Sequence, residues 1–473
     1  MSEPKIRREF DDAGDAALNA LRERFGERLS TAHAIVSQHS GLEGHHASLA
    51  PDAVIYAESN EDVADAIRWC ADNDLPVIAH GAGTSLEGHL SAIHGGVSLD
   101  LTRMNAILDV SAENLLATVQ AGVTREQLNH HLRDLGLFFP IDPGANATLG
   151  GMTATRASGT NAVRYGTMRD NVLTAKVVLA NGAVIETGVR AAKSSAGYDL
   201  TGLFVGSEGT LGVITEVTLR LYGIPEKILS ATCVFKDLDG AVSAVIETIQ
   251  LGLGVARIEL LDETQVRASN AFSKLRLVEQ PTLLLEFHGS PAGVEEQALQ
   301  FADIAAGHRG GALIIARTPE ERSRLWKARH DAYFAAKALL PGAVVWTTDV
   351  CVPIAALADS ILKTRADIEA EGALATIVGH VGDGNYHVMF AIDPQNPTHM
   401  ARASRINERM ISRAIEAGGT CTGEHGIGIG KRDKLIAERG ETNVTLMRTI
   451  KAALDPANIL NPGKIFVDGG ARP

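Results

Sequence analysis

Hydrophobic and polar positions along the chain change period repeatedly, and each change predicts a different kind of element. Between residues 11 and 40, Leu18, Leu21 and Phe25 fall on one stripe with charges between them, which predicts an amphipathic helical lead-in. From Ala53 onward short β-rich runs alternate with helices: a strand over 53–57, a helix over 61–73, and a strand over 76–79 that runs into glycine. Strand-like runs recur over 176–180 and 213–221, set between glycine-dense loops at 143–166 and 197–212. Such alternation predicts a mixed α/β unit. The glycine loops stop around Gly223, Ile224 and Pro225, where a boundary is expected. Beyond it come a strand over 231–235, a helix over 239–251, a strand over 282–287, a helix over 293–305 and a strand over 312–316. These repeats suit an antiparallel sheet backed by helices and covering the first unit like a cap. The expected division is therefore 1–50 for the lead-in, 51–225 for the first unit, 226–430 for the cap and 431–473 for a C-terminal segment.

At 473 residues the chain is longer than one hydrophobic core sustains, so several units are expected on size alone. The formal charge of -13 opposes non-specific attraction to nucleic acid or anionic lipid, both of which demand basic surface. Apolar runs such as 177–180 and 312–316 are of core-strand length, far short of a membrane span. Near the start, Lys5, Arg7 and Arg8 are followed by Glu9, Asp11 and Asp12, without the apolar segment of a secretory signal or the acid-poor character of a transit peptide. Cys70, Cys233, Cys351 and Cys421 form no Cys-x-x-Cys pair for zinc, an iron–sulfur cluster or a redox disulfide. A cytoplasmic protein is expected, brought to a membrane only if its reaction partner resides there.

The stretch Pro76-Val-Ile-Ala-His-Gly-Ala-Gly-Thr-Ser-Leu-Glu-Gly88 places three glycines and two hydroxyls after a strand, where backbone N–H groups can line a concavity for phosphate oxygens. Alone, such a loop is as often a simple turn, and it has neither the Gly-x-Gly-x-x-Gly spacing nor the Lys-Ser/Thr ending of a P-loop. Two further segments change the weighing. Residues 143–166 concentrate small side chains that let a flat ring system and a pyrophosphate lie against the main chain, and Gly206-Ser-Glu-Gly-Thr-Leu-Gly-Val-Ile-Thr-Glu216 follows. In this order, from about Pro51 to Pro225, the three segments resemble the FAD-binding domain of the vanillyl-alcohol-oxidase-like, PCMH-type flavoproteins. The resemblance implies an α+β fold: a two-part PCMH-type FAD-binding domain plus an antiparallel-sheet cap domain backed by helices. It also implies that His80, Gly81, Ala82, Gly83, Thr84, Ser85 and Gly88 surround the pyrophosphate. Pro143, Gly144, Thr148, Gly150, Gly151, Ser158, Gly159, Asn161 and Tyr165 would flank the flavin, and Glu208, Gly209, Gly212 and Ile214 would complete the site. Relatives that attach flavin covalently carry histidine where Thr84 stands, so non-covalent FAD is expected.

A second constellation lies towards the C-terminus. In Ile377-Val-Gly-His-Val-Gly-Asp-Gly-Asn-Tyr-His-Val-Met-Phe390, Asp383-Gly384 is the signature of a two-residue type I′ hairpin turn, which would set His380 directly opposite His387. Two histidines facing each other can converge on one ion, although polar residues on a solvated hairpin face would also satisfy the pattern. Thr420-Cys-Thr-Gly-Glu-His-Gly-Ile-Gly-Ile-Gly430 offers Glu424 as a third ligand, with His425 free to face a substrate as a base. Two histidines and a carboxylate suit zinc or manganese, and taken alone they would also fit a metal hydrolase.

These motifs, with Leu454-Asp-Pro-Ala-Asn-Ile-Leu-Asn-Pro-Gly-Lys464, resemble the D-lactate and D-2-hydroxyglutarate dehydrogenase branch of the same flavoproteins, and Trp326-Lys-Ala-Arg-His330 with Thr347-Thr-Asp-Val-Cys-Val-Pro353 looks closest to its D-lactate members. The resemblance implies His380, His387 and Glu424 as metal ligands, His425 as catalytic base, Arg329 as receiver of the substrate carboxylate, and Asn461 and Lys464 returning to the flavin. Without it, Arg329 on an amphipathic helix reads as a surface ion-pair partner. The implied activity is oxidation of D-lactate or a similar short D-2-hydroxy acid, with electrons passed to a quinone, a cytochrome or an electron-transfer flavoprotein. D-2-hydroxyglutarate, glycolate within a larger oxidase, and a flavin-storing scaffold are the competing readings. A homodimer is expected, and no nucleic-acid partner.

Overall fold

The computed structural model describes residues 20–41 and 44–467. Of the expected lead-in stripe, Leu21 and Phe25 are buried in a core with Ile55, Ile67 and Leu99, while Leu18 lies outside the described residues.

Two sheets build the first unit. In one, Ala53–Tyr56, Val97–Asp100 and Val77–His80 run parallel, with Leu29–Ser30 antiparallel on the outer edge. The helix Asn60–Asp72 covers it; Ser59 caps the helix by accepting from the Asp62 N–H, and Val63, Ala66, Ile67 and Cys70 form its buried stripe. The second sheet is antiparallel, in the order Ile107–Ser111, Leu116–Gln120, Val213–Arg220, Val172–Val178, Val184–Gly188. After the short pairing of Tyr222–Gly223 with Leu137–Phe138, the chain leaves for a third, eight-stranded sheet.

That sheet is antiparallel throughout. Its main path is Ile314–Ala316, Lys227–Val234, Thr282–Gly289, Val255–Leu261, Ala375–Gly379, Asn385–Ile392 and Val344–Thr347, and Val350–Cys351 pairs beside it. One face is apolar: Ala231, Cys233, Ile258, Leu260, Leu285, Phe287, Ile377, Val388 and Phe390 pack with residues of the helices Leu238–Gln250, Pro291–Gly307, Leu357–Glu371 and Pro397–Glu416. The period-2 alternation of strands sends Arg257, Glu259, Glu286, His288 and His387 to the other face. That face is buried too, against the glycine loops, so its charges meet partners rather than water.

The expected two-residue hairpin at Asp383-Gly384 is not what forms. Val378 pairs with His387, two residues out from the expected register, and Val381–Asp383 make a single 3-10 turn closed by Gly384 at φ 78°. Packing explains the longer turn. A Cβ on Gly382 would stand 2.6 Å from Ile258 Cγ2 and 2.7 Å from Val163 Cγ2, and one on Gly384 would stand 2.1 Å from the Val352 carbonyl oxygen. A shift of two residues preserves the face of each side chain, whereas a shift of one would have reversed it. His380 and His387 therefore still converge, as diagonal rather than opposite neighbours.

The C-terminal helix Glu441–Leu454 leads into a segment that returns to the first sheet. The Val77 N–H donates to the Ile459 carbonyl at 2.7 Å, and the Asn461 N–H to the Val77 carbonyl at 2.8 Å.

Candidate active site

The glycine loops come together around the end of the strand Val77–His80. A Cβ on Gly81 would stand 2.2 Å from Thr148 Oγ1, so the first loop needs glycine there to lie against the second. Thr148 precedes the helix Leu149–Thr155, whose Gly150 leaves no room for a side chain: its Cβ would be 2.5 Å from that of Ala121. The third loop turns at Glu208, which has a positive φ, and Gly209 backs onto Ala79. Asn461 Nδ2 donates to the Glu208 carbonyl at 2.8 Å, while Lys464 Nζ donates to the Ser91 carbonyl at 2.8 Å and to Asn461 Oδ1 at 3.2 Å. Ala82, Gly83, Thr84, Ser85 and Gly88 occupy the first loop, with Ala82 at its exposed tip and Gly88 buried. The lining is backbone and small side chains with the Ser207 hydroxyl buried and unpartnered, a surface that fits a planar cofactor and its pyrophosphate.

Several expected cofactor residues also make contacts within the protein. Gly212 and Ile214 belong to sheet packing: a Cβ on Gly212 would stand 2.4 Å from Val177 Cγ1, and Ile214 is a core residue paired with Val177. Gly159, at φ 153°, passes against Asp142, next to Ser158 and ahead of Asn161. Asn161 spends Nδ2 on the Pro140 carbonyl and accepts from Arg257 Nε at 2.9 Å. The Tyr165 hydroxyl is 2.7 Å from His288 Nδ1 on the cap sheet. Pro143 is half-buried, and Gly144 is exposed with open space beside it.

The second constellation assembles on the inner face of the cap. Glu424 Oε1 lies 3.2 Å from His380 Nε2 and 3.4 Å from His387 Nε2. One ligand atom from each of the three residues falls within 4.8 Å of the others. Their outer nitrogens are already held: His380 Nδ1 is 2.7 Å from Glu259 Oε1, and His387 Nδ1 is 2.9 Å from the Thr348 carbonyl. Orientation of imidazoles by a carboxylate and a carbonyl is the usual outer shell of a metal site, so the donor set fits a divalent ion. The His425 ring stacks on that of His387 at 5.2 Å and 11°, and its buried Nδ1 has no hydrogen-bond partner. Burial, opposed by Asp349 and reinforced by His387, lowers His425 from the usual histidine value, which favours its neutral form.

Sequence reading missed two carboxylates here. Glu259, on the strand Val255–Leu261, accepts from Arg329 Nε at 2.7 Å with the oxygen that His380 does not use. Residue chemistry alone predicts a surface ion pair for Arg329; the pair that forms is largely buried and brings the arginine beside the candidate metal ligands. Asp349 accepts from the Glu424 and His425 backbone N–H groups at 2.9 Å each and from Asn385 Nδ2 at 2.7 Å. A charged pair inside the otherwise apolar run Val255-Ala-Arg-Ile-Glu-Leu-Leu261 was the available signal for Glu259.

Cap and glycine loops meet directly. Lys431 Nζ is 3.2 Å from Glu87 Oε1 and donates to the Asp349 carbonyl at 3.0 Å. Glu208 accepts from the Ile427 and Gly428 N–H groups at 2.7 and 2.8 Å. The residues around Glu424 and His425 are therefore fastened to the loops around Glu208.

Known proteins share this architecture. A family model described as FAD binding domain matches residues 51–188, and one described as FAD linked oxidases, C-terminal domain, matches residues 224–465. A probable mitochondrial D-lactate dehydrogenase from Danio rerio is 48% identical over 443 residues, covering 93% of this chain and 89% of its own length. A mitochondrial D-lactate dehydrogenase (cytochrome) from Arabidopsis thaliana is 44% identical, covering 89% and 74%. A glycolate oxidase subunit from Bacillus subtilis is 36% identical, covering 88% and 89%. Among solved structures, substrate-bound p-cresol methylhydroxylase superposes with a TM-score of 0.79 at 17% identity, covering 97% and 98%, and shares the fold. Two family models that together span most of the chain, and relatives matched along nearly its whole length, establish that it belongs to the FAD-linked oxidases, in the branch that holds the D-lactate dehydrogenases.

Proposed function

We propose that the protein oxidises D-lactate, or a D-2-hydroxy acid of similar length, to the 2-oxo acid and passes the electrons to an external acceptor. The observation that carries this reading is the convergence of His380, His387, Glu424 and His425 on a surface fastened to the glycine loops. FAD, held without a covalent bond at Thr84, would supply a hydride acceptor. Zinc or manganese held by His380, His387 and Glu424 would supply Lewis acidity towards a hydroxyl oxygen.

The chain's own residues divide the remaining work. His425, in its neutral form, takes the hydroxyl proton at a ring nitrogen. Arg329 pairs with the substrate carboxylate through the guanidinium N–H groups that Glu259 leaves free, and Glu259 keeps the fork in place. Fixing carboxylate and hydroxyl together orients the reacting carbon, so only one enantiomer turns its hydrogen to the cofactor. Past Arg329, Ala332 and Ala336 join Leu261, Val378 and Met389 in an apolar cluster, while Lys337 is exposed. None of these apolar residues offers a counter-ion to a second carboxylate. D-2-hydroxyglutarate is accordingly the weaker reading.

Anaerobic mixing with a panel of 2-hydroxy acids tests the substrate. Flavin absorbance should bleach fastest with D-lactate or a short aliphatic homologue and only slowly with L-lactate. A higher kcat/KM for D-2-hydroxyglutarate than for D-lactate would overturn the substrate assignment and leave the site assignment standing.

His425→Ala should retain metal and flavin and reduce the flavin roughly 10²- to 10⁴-fold more slowly, the usual effect of removing a general base. An unchanged single-turnover rate would move the base elsewhere. Glu259→Gln should weaken metal binding, measured by chelator competition, by about 10- to 100-fold, as loss of an outer-shell partner does. It should also raise KM for the hydroxy acid because Arg329 loses its counter-ion. Unaltered metal affinity and KM would show that Glu259 serves the fold alone.

A further inference from the structure

A second group of metal-ligand side chains lies away from the cap, beneath the first glycine loop. His80 and Asp100 end adjacent parallel strands as register partners, so their side chains leave the same face of the sheet. His39, directly after the helix His33–Gln38, reaches the same point from the lead-in. All three are buried, with relative exposures of 5, 8 and 4% for His39, His80 and Asp100. One ligand atom from each lies within 4.8 Å of the others.

The surroundings of His39 resemble those of His387, with Nδ1 held by a backbone carbonyl. His39 Nδ1 is 2.8 Å from the Ile35 carbonyl, which can only accept, so Nδ1 carries a proton and Nε2 is the ring atom turned inward to Asp100. Asp100 Oδ1 takes hydrogen bonds from the Thr102 N–H at 2.7 Å and hydroxyl at 2.5 Å. Its Oδ2 is left facing His39 Nε2 at 2.8 Å and His80 Nδ1 at 3.8 Å. Neither nitrogen of the buried His80 ring has a hydrogen-bond partner. A hydrogen-bonded His39–Asp100 pair by itself would explain two members of the group and leave the third unmet. An ion coordinated by all three uses His80 Nδ1 as well.

We infer that His39, His80 and Asp100 form a second divalent-metal site, suited to zinc by its two imidazoles and one carboxylate. Three protein ligands leave a tetrahedral zinc one position for a solvent oxygen. The site would pin the start of the glycine loop to the neighbouring strand and to the lead-in, a structural role independent of the ion proposed at Glu424.

Zinc content of the flavin-loaded protein, equilibrated with zinc and desalted, tests the inference. The wild-type chain should hold two zinc ions, His387→Ala one, and the double variant His39→Ala, Asp100→Asn one, with circular dichroism reporting folding. A zinc ion lost in the double variant but kept in His387→Ala supports the second site even if the first binds nothing. If the double variant does not fold, anomalous diffraction at the zinc edge from wild-type crystals decides. A peak among His39, His80 and Asp100 supports the site, and its absence from zinc-equilibrated crystals overturns it.

Discussion

One buried carboxylate holds the reactive end of the molecule together. Asp349 takes the backbone N–H groups of Glu424 and His425, the Thr422 hydroxyl at 2.8 Å and the Asn385 amide, which joins the loop 422–425 to the hairpin that carries His387. Burial alone would discourage its charge, yet His425, Lys431 and His387 keep its carboxyl well below the ordinary range. A buried anion is tolerable only when its hydrogen-bonding capacity is met, and here the groups that meet it belong to the loop carrying Glu424 and His425 and to the hairpin carrying His387. Lys431 extends the same network to Glu87, so the geometry around Glu424 is set relative to the glycine loops rather than to the cap alone.

The cap sheet makes this arrangement affordable by separating its duties between faces. Its helix-covered side carries the apolar packing, and the inner side carries Arg257, Glu259, Glu286 and His288. Arg257 Nη2 reaches Asp142 Oδ2 at 3.1 Å, and Glu286 meets Arg322 Nε at 3.0 Å and His288 Nε2 at 2.8 Å. Each charge on the inner face thus has a counter-ion or a hydrogen-bond partner, several of them from the glycine-loop unit.

What could be read in the sequence follows from how local the cause was. The helix expected over 61–73 forms over 60–72, one residue early because Ser59 caps it, and the three glycine segments were legible by composition, because backbone close approach leaves little choice of residue. His380, His387 and Glu424 were legible from a period-2 pattern and a glycine-flanked loop, and their convergence survived a wrong turn because the register moved by two residues. The turn itself depends on Val163, Ile258 and Val352, distant in sequence, so no local rule for Asp-Gly could reveal it. The strand 255–261 was missed for a related reason: Arg257 and Glu259 look like surface charges until Asp142, Arg329 and His380 surround them. Gly212 and Ile214 came from a motif read for ligand contact, and the sheet also packs against both.

If metal ligation at His380, His387 and Glu424 positions and acidifies the substrate next to the flavin, removing the ion should stop hydride transfer without disturbing the flavin itself. The most direct measurement is single-turnover flavin reduction by D-lactate, without oxygen, in chelator-stripped protein before and after a divalent metal is restored. Flavin that stays oxidised with D-lactate, is still reducible by dithionite and bleaches once zinc or manganese returns is the predicted result. Reduction at the same rate in the metal-free protein would contradict it.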